Sequence, residues 1–242
     1  MSSLPPKTPS QFPSEAPALL AESQLLRRHT SYGNADVYVY EQNAKKYLVK
    51  TFASHPPFAR VLFGGTIKNE YQLLLLLNRH CPGLAPQVYA LIDTYTIVME
   101  FIEGSRPLLS RRHYEPGSLP PPEFFRQLME SLTALHKAGF AHGDFRRANL
   151  LIAADGTPRL IDWGTGHYQH PQRPGNWLLR KMHQWRRRSD LFSLVSITES
   201  YYQDIIPAEL KQYAQPGKLL RWARFLRRHL YRHGIKRWFK HG

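Results

Sequence analysis

The densest chemistry in the chain lies in the run His142-Gly143-Asp144-Phe145-Arg146-Arg147-Ala148-Asn149-Leu150-Leu151-Ile152, followed by Leu160-Ile161-Asp162-Trp163-Gly164. Asp144 and Asn149 are five apart on what reads as a loop after a helix, and Asp162 ends the second of two short apolar strands. Ala153-Ala154-Asp155-Gly156-Thr157-Pro158 lies between those strands, and its Asp-Gly pair marks a hairpin turn. A hairpin this short sets Asn149 beside Asp162. Two oxygen ligands so placed suit Mg²⁺, which takes few protein groups and keeps phosphate and water oxygens for the rest. Asp144, on the adjoining loop, is free to accept a hydroxyl proton. The plainer alternative is that Asp144 and Asn149 merely cap turns.

The elements that must hold these residues are legible in the periodicity. Val37-Tyr38-Val39-Tyr40 and Lys46 to Phe52 read as strands joined by a turn at Gln42-Asn43. Ile67 to Arg79 has a helical pattern, with Leu73, Leu74 and Leu77 on one face. Two strands follow, around Gln87 to Ile92 and Tyr95 to Phe101, about a turn at Asp93-Thr94. After Gly104 the pattern changes. Phe124, Phe125, Leu128, Leu132 and Leu135 make an amphipathic helix of Glu123 to Lys137, and the chain from about Ser189 reads as helical. The expectation is an α+β fold with a flexible Pro/Ser-rich arm over 1–20 and a strand-rich lobe with one helix over 21–104. A helix-rich lobe would cover 105–216, and a basic amphipathic segment 217–242.

The loop and hairpin resemble the protein-kinase-like superfamily, whose catalytic loop follows H-x-D-x-x-x-x-N and whose metal-binding turn follows D-F-G, with Trp163 here in place of Phe. The likeness runs from roughly Tyr32 to Leu194. It implies a bilobal kinase-like fold that uses ATP and Mg²⁺ to phosphorylate a hydroxyl. Lys50, ending Leu48-Val49-Lys50, matches the lysine that grips the ATP phosphates, and Glu70 matches the partner that holds it. Gly33 belongs to the loop that covers the phosphates. Met99 to Gly104 matches the hinge, where the backbone of Glu100 and Ile102 would meet the adenine. Asp144 would orient and deprotonate the acceptor, and Asn149 and Asp162 would hold Mg²⁺. Arg146 stands where Ser/Thr kinases carry a lysine that touches the transferred phosphate, a role it shares here with simple bracing of the loop.

The sequence departs from that family's pattern in two places. Ser31-Tyr32-Gly33-Asn34-Ala35-Asp36-Val37-Tyr38 has one glycine where typical protein kinases have three, similar to the reduced loops of RIO-type atypical kinases. Only a short stretch separates Gly164 from Ser189-Asp190-Leu191, taken as the start of the central helix of the second lobe, and no Ala-Pro-Glu follows Asp162. Within the superfamily the general match is to bacterial lipopolysaccharide-core kinases, which act on Kdo or heptose at the cytoplasmic face of the inner membrane. That resemblance implies a cytoplasmic protein, peripheral on this face, with a glycolipid sugar as acceptor. A RIO-like Ser/Thr protein kinase is the alternative, followed by a pseudokinase scaffold.

Composition narrows the partners. The chain of 242 residues carries a formal charge of +15 and 42% hydrophobic residues, a globular rather than disordered balance. Its single cysteine, Cys81, rules out an internal disulfide framework. From Gly217 onward there is no Asp or Glu, while Arg221, Arg224, Arg227, Arg228 and Arg232 surround Leu219, Leu220, Trp222, Leu226 and Leu230. Arginines and Trp on such a helix suit an anionic membrane surface, or else the helix packs on the lobe with a solvated basic side. Nucleic acid ranks last, since no helix-turn-helix, zinc or RNA-recognition pattern accompanies the charge.

Overall fold

The computed structural model describes residues 12–29, 32–172 and 175–215. The basic segment 217–242 and Ser31 lie outside the described residues. The chain opens with α1 (Ala16–Ala21), β1 (Ser23–Arg27), β2 (Asp36–Gln42) and β3 (Lys45–Thr51). Then come α2 (Pro57–Phe63), α3 (Gly65–His80), β4 (Val88–Asp93) and β5 (Thr96–Glu100). The second half runs through β6 (Arg106–Pro107), α4 (Pro122–Lys137), β7 (Phe140–Ala141), β8 (Leu150–Ile152) and β9 (Pro158–Leu160). It ends in β10 (His167–Tyr168), α5 (Trp177–Glu199) and α6 (Ala208–Lys211). The first five strands form one antiparallel sheet in the order β1-β2-β3-β5-β4, and small ladders β6-β8-β9 and β10-β7 sit among the later helices. The architecture is α+β of the kinase-like kind.

The strand-period alternation in β3 decides which side chain reaches the site. Tyr47, Val49 and Thr51 are buried, and Tyr47 and Val49 belong to a cluster with Phe12, Leu19, Tyr40 and Val98. Lys50, one residue out of phase, therefore lies on the opposite face, which the α3 side of the molecule covers. The β2–β3 turn falls at Asn43-Ala44, one residue beyond the expected pair. Both residues have positive φ (54° and 59°), the two-residue geometry that matches strand twist. On β5, Ile97 and Met99 join the main core while Val98 joins the other cluster, so this strand is buried on both faces. That explains its unbroken apolar run, Thr96-Ile97-Val98-Met99.

The segment expected to be a free arm is partly built into the fold. Phe12 packs edge-on against Tyr47, with ring centroids 5.0 Å apart at 86°. Leu19 on α1 is fully buried. Residues 12–20 thus cover the outer face of the sheet, because Tyr40, Tyr47 and Val98 present apolar surface that must be shielded from water. The alternation also missed β1, which pairs along β2 from Ser23 to Arg27, and α2, which begins on Pro57. In the second half α5 starts at Trp177, well before Ser189, with Asn176 Oδ1 accepting from Leu179 N at 3.0 Å as its cap. Arg180, Lys181 and Arg186 to Arg188, which disguised this stretch as a charge cluster, lie within that helix. Among the described residues no helix is long and apolar enough to cross a membrane.

Leu19→Ala is expected to destabilise the protein by about 2–5 kcal/mol, the range for truncating a fully buried leucine. Urea denaturation of the variant beside the wild type measures it, and an unchanged midpoint would show that α1 does not support the sheet.

Candidate active site

The site is assembled around one buried carboxylate. On α3 the buried positions are Ile67, Glu70, Leu73, Leu74 and Leu77, so Glu70 occupies the apolar stripe of the helix rather than its solvated side. Its two oxygens have separate duties. Oε2 accepts from Lys50 Nζ at 2.8 Å, and Oε1 accepts from the backbone N–H of Trp163 at 3.1 Å. Lys50 Nζ donates in addition to Asp162 Oδ1 at 2.6 Å. Sheet, helix and the turn at Asp162, which are far apart in sequence, are thereby joined through the Lys50 ammonium and the Glu70 carboxylate.

Charge balance in this trio follows from the geometry. Burial opposes the charge on Lys50, but Glu70 and then Asp162 outweigh it and raise the proton affinity of the amine above its ordinary value. Burial likewise opposes ionisation of Asp162, yet Lys50, followed by His142 and Arg146, holds its carboxyl below the usual range. A raised lysine stabilises the fold until pH climbs through its folded value, and a lowered aspartate does so until pH falls through its own. Lys50 and Asp162 are thus both charged between the ordinary carboxylate and lysine ranges.

The loop that carries Asp144 is held from beneath. His142 is fully buried, with Nε2–H donating to Ile161 O at 3.0 Å and Nδ1 accepting from Asp144 N at 3.2 Å. Asn149 Nδ2 donates to Asp144 O at 2.9 Å and to Asp144 Oδ2 at 3.1 Å. Arg146 Nε meets the same Oδ2 at 2.9 Å. That ion pair is more than a third exposed on both sides and contributes little energy, so its effect is on orientation. Asn149 and Asp162 are neighbours as the hairpin expectation required, with Ile161 N bonded to Asn149 O at 3.0 Å and Leu150 paired with Leu160. Asp162 itself sits at φ 66°, a left-handed conformation that a short polar side chain tolerates.

Other expected residues sit less directly. Glu100 gives its N–H to Gln87 O at 2.7 Å, while its carboxylate accepts from Gln87 N at 2.9 Å and from Arg159 Nη2 at 2.6 Å. Its side chain therefore ties β5 to β9 rather than facing a ligand. The bonds of Ile102 fall on its carbonyl, from Ser105 N and Ser105 Oγ. Gly33 has no conformational need to be glycine here, since an added Cβ would meet only Phe63, at ordinary contact distance (3.7 Å).

Two residues that hold the site were not found from sequence. Asn69 Nδ2 donates to Gly164 O at 3.0 Å and Gly166 O at 3.1 Å, pinning the chain after Asp162 onto α3. Asp190 on α5 is completely buried. Its Oδ2 accepts from His142 N at 2.8 Å and faces His136 Nε2 at 3.3 Å, while Oδ1 accepts from Gly143 N at 3.0 Å. Gly143 is needed at that point. Its φ is 79°, and a Cβ would come within 2.9 Å of Thr165 O. The available signal for Asp190 was a lone carboxylate just before the mostly apolar run Leu191-Phe192-Ser193-Leu194-Val195. Asp190→Asn removes the charge and half the accepting capacity, and is expected to cost about 3 kcal/mol. The His142 and Gly143 amides should then exchange faster with deuterium, and unchanged protection at both would refute the anchoring role.

Comparison with known proteins agrees with this arrangement. The protein kinase domain family model matches residues 31–185, more than half of the chain. A probable cyclin-dependent serine/threonine-protein kinase of Dictyostelium discoideum is 35% identical over 40% of this chain and 16% of its own length. The serine/threonine-protein kinase hal4 of Schizosaccharomyces pombe is 31% identical over 50% of this chain and 19% of its own. The serine/threonine-protein kinase PknL of Mycobacterium tuberculosis is 40% identical over 28% and 17%. The chain spans less than a fifth of the length of these relatives. With the lysine–glutamate–aspartate trio and the anchored loop in place, the chain belongs to the protein kinase domain family.

Proposed function

We propose that this protein transfers the γ-phosphoryl group of ATP to a serine or threonine hydroxyl of a protein. The observation that carries the transfer chemistry is the ammonium of Lys50 held between Glu70 and Asp162, at 2.8 and 2.6 Å. The hydroxyl acceptor rests on the serine/threonine kinases among its relatives.

The residues present fit Mg²⁺. Asn149 turns its amide N–H groups toward Asp144, which directs its carbonyl oxygen elsewhere. Asp162 keeps one oxygen on Lys50 and is 41% exposed at its side chain. An amide oxygen and a carboxylate are the hard donors that Mg²⁺ accepts, and the ion would neutralise phosphate charge when bound.

The chain's own part is orientation and charge. Lys50 is already positioned by Glu70 and needs only to exchange the Asp162 contact for phosphate oxygens. Asp144 has one carboxylate oxygen held by Asn149, so its other oxygen is directed to receive the hydroxyl proton as the γ-phosphorus bonds to the hydroxyl oxygen and its bond to the ADP oxygen breaks. Arg146, more than half exposed, swings from Asp144 to a phosphate oxygen without disturbing packing. Stabilisation of this kind is preorganised and acts where negative charge spreads.

A glycolipid sugar hydroxyl is a second reading. It is favoured by the short connection from Gly164 to α5, which leaves little room for a peptide-docking platform. It is favoured too by the exposed Trp177, Leu178, Met182 and Trp185 beside Arg180 and Lys181. Such a face suits an anionic lipid surface and would place the protein peripherally at the cytoplasmic side of a membrane.

Incubation of the full chain with labelled Mg-ATP, a mixed protein acceptor and a lipopolysaccharide-core glycolipid separates these readings. Label on serine or threonine supports the first, and label on the sugar alone replaces it with the second. Asp144→Ala should lower turnover by about 10²–10⁴-fold while the circular dichroism spectrum persists. Wild-type turnover in that variant would overturn the assignment of Asp144.

A further inference from the structure

Three side chains that phosphoryl transfer does not use converge where β1 ends, β2 begins and β3 gives way to the turn before α2. They are His29, Asp36 and His55. One ligand atom from each lies within 4.8 Å of the other two, and among the described residues no other group of three or more His, Cys, Asp or Glu meets that condition. Asp36 is 2% exposed and His55 3% exposed, while the His29 side chain is 25% exposed.

The bonds within the group leave one residue unaccounted for. Asp36 Oδ1 accepts from His29 N at 2.6 Å and faces His29 Nδ1 at 2.8 Å, and Asp36 Oδ2 accepts from Ser54 Oγ. His55 stacks against His29, with ring centroids 3.9 Å apart at 35°, and lies beside Phe52 at 4.9 Å. Although buried, its Nδ1 and Nε2 make no well-aligned hydrogen bond, and the backbone of Asn34 offers the ring only a weaker one. A buried imidazole so poorly repaid for its lost hydration has room for an ion or water as a further partner.

We propose that His29, Asp36 and His55 form a binding site for a borderline transition-metal dication, Zn²⁺ foremost. Two imidazoles and one carboxylate are a donor set that suits Zn²⁺ and its first-row neighbours and disfavours Mg²⁺, which prefers an all-oxygen shell. Metal–ligand bonds of about 2.0–2.2 Å in a tetrahedron need the donors drawn to roughly 3.4 Å from one another, with water in the fourth position. His29, the exposed member, has the freedom to close that gap. The site is distinct from the Asn149–Asp162 pair and does not depend on phosphoryl transfer. Its location gives it a consequence. His29 and Asp36 bracket the loop that holds Gly33, and His55 is five residues beyond Lys50, so an ion here ties both ends of that loop to the end of β3.

The test uses the full chain, stripped with chelator and titrated with Co²⁺ and then Zn²⁺. One equivalent of Co²⁺ should develop visible ligand-field absorption, Zn²⁺ should displace it, and Mg²⁺ should leave the spectrum unchanged. His29→Gln and His55→Gln should each weaken binding at least about tenfold, the lower limit for disturbing even an outer partner of a metal ligand. His29 is partly exposed, so its variant decides the matter should His55→Gln not fold by circular dichroism. Absence of uptake by the wild type, displacement by Mg²⁺, or unchanged affinity in His29→Gln would each overturn the proposal.

Discussion

The active-site architecture depends on a single buried glutamate. A carboxylate in the apolar stripe of α3 is tolerable only when both of its oxygens are occupied, because desolvating an unpaired charge costs several kcal/mol. Glu70 meets that demand with an ammonium from the sheet and the amide of Trp163 from the turn after Asp162. The same demand sets where α3 must sit, since any rotation of the helix strands the charge. Specificity of arrangement, more than net stability, is what such a pair contributes. It forces three segments into one register and leaves Lys50 facing Asp162.

A second constraint acts from the other side. The loop that carries Asp144 has little regular structure of its own, and Asp190 replaces the missing ladder by accepting two successive backbone amides and facing His136. His142 extends the support upward through Ile161, so the loop and the segment between β9 and Asp162 are fixed to each other as well as to α5. Asp144 is thus carried by a rigid frame although it lies on a loop. Asn69 performs a similar service for the chain beyond Asp162, where a Cβ on Gly166 would crowd the Trp163 carbonyl at 3.0 Å.

How far the sequence revealed this depends on the range of the interactions. The Asp-Gly turn between two short apolar runs was enough to set Asn149 beside Asp162, because a hairpin's register is local. Strand alternation placed Lys50 on a strand, and motif order selected Glu70 as its partner. What could not be read was the demand imposed by distant surfaces. Nothing local in Phe12 to Ala21 shows that Tyr40, Tyr47 and Val98 await a cover, so the segment read as a loose arm. The start of α5 was hidden by its charge, since Trp177 to Arg188 exposes most of its residues and has no clean apolar period to detect. Asp190 and Asn69 were missed because polar residues on helices are ordinarily solvated, and only the packed fold shows what they hold. Glu100 was chosen for its backbone, and the structure adds a side-chain duty toward Arg159 that no spacing rule would suggest.

The cover formed by α1 and β1 also bears on where the working unit begins. The family match starts at residue 31, yet the sheet does not. A protein trimmed to that boundary would lose β1 and uncover the hydrogen-bonding row of β2, together with the apolar face around Tyr40 and Tyr47. The sheet would keep an edge either way, since β1 is itself an edge strand, but the apolar face would meet water. The boundary that family likeness suggests is therefore not the one at which the apolar face stays covered.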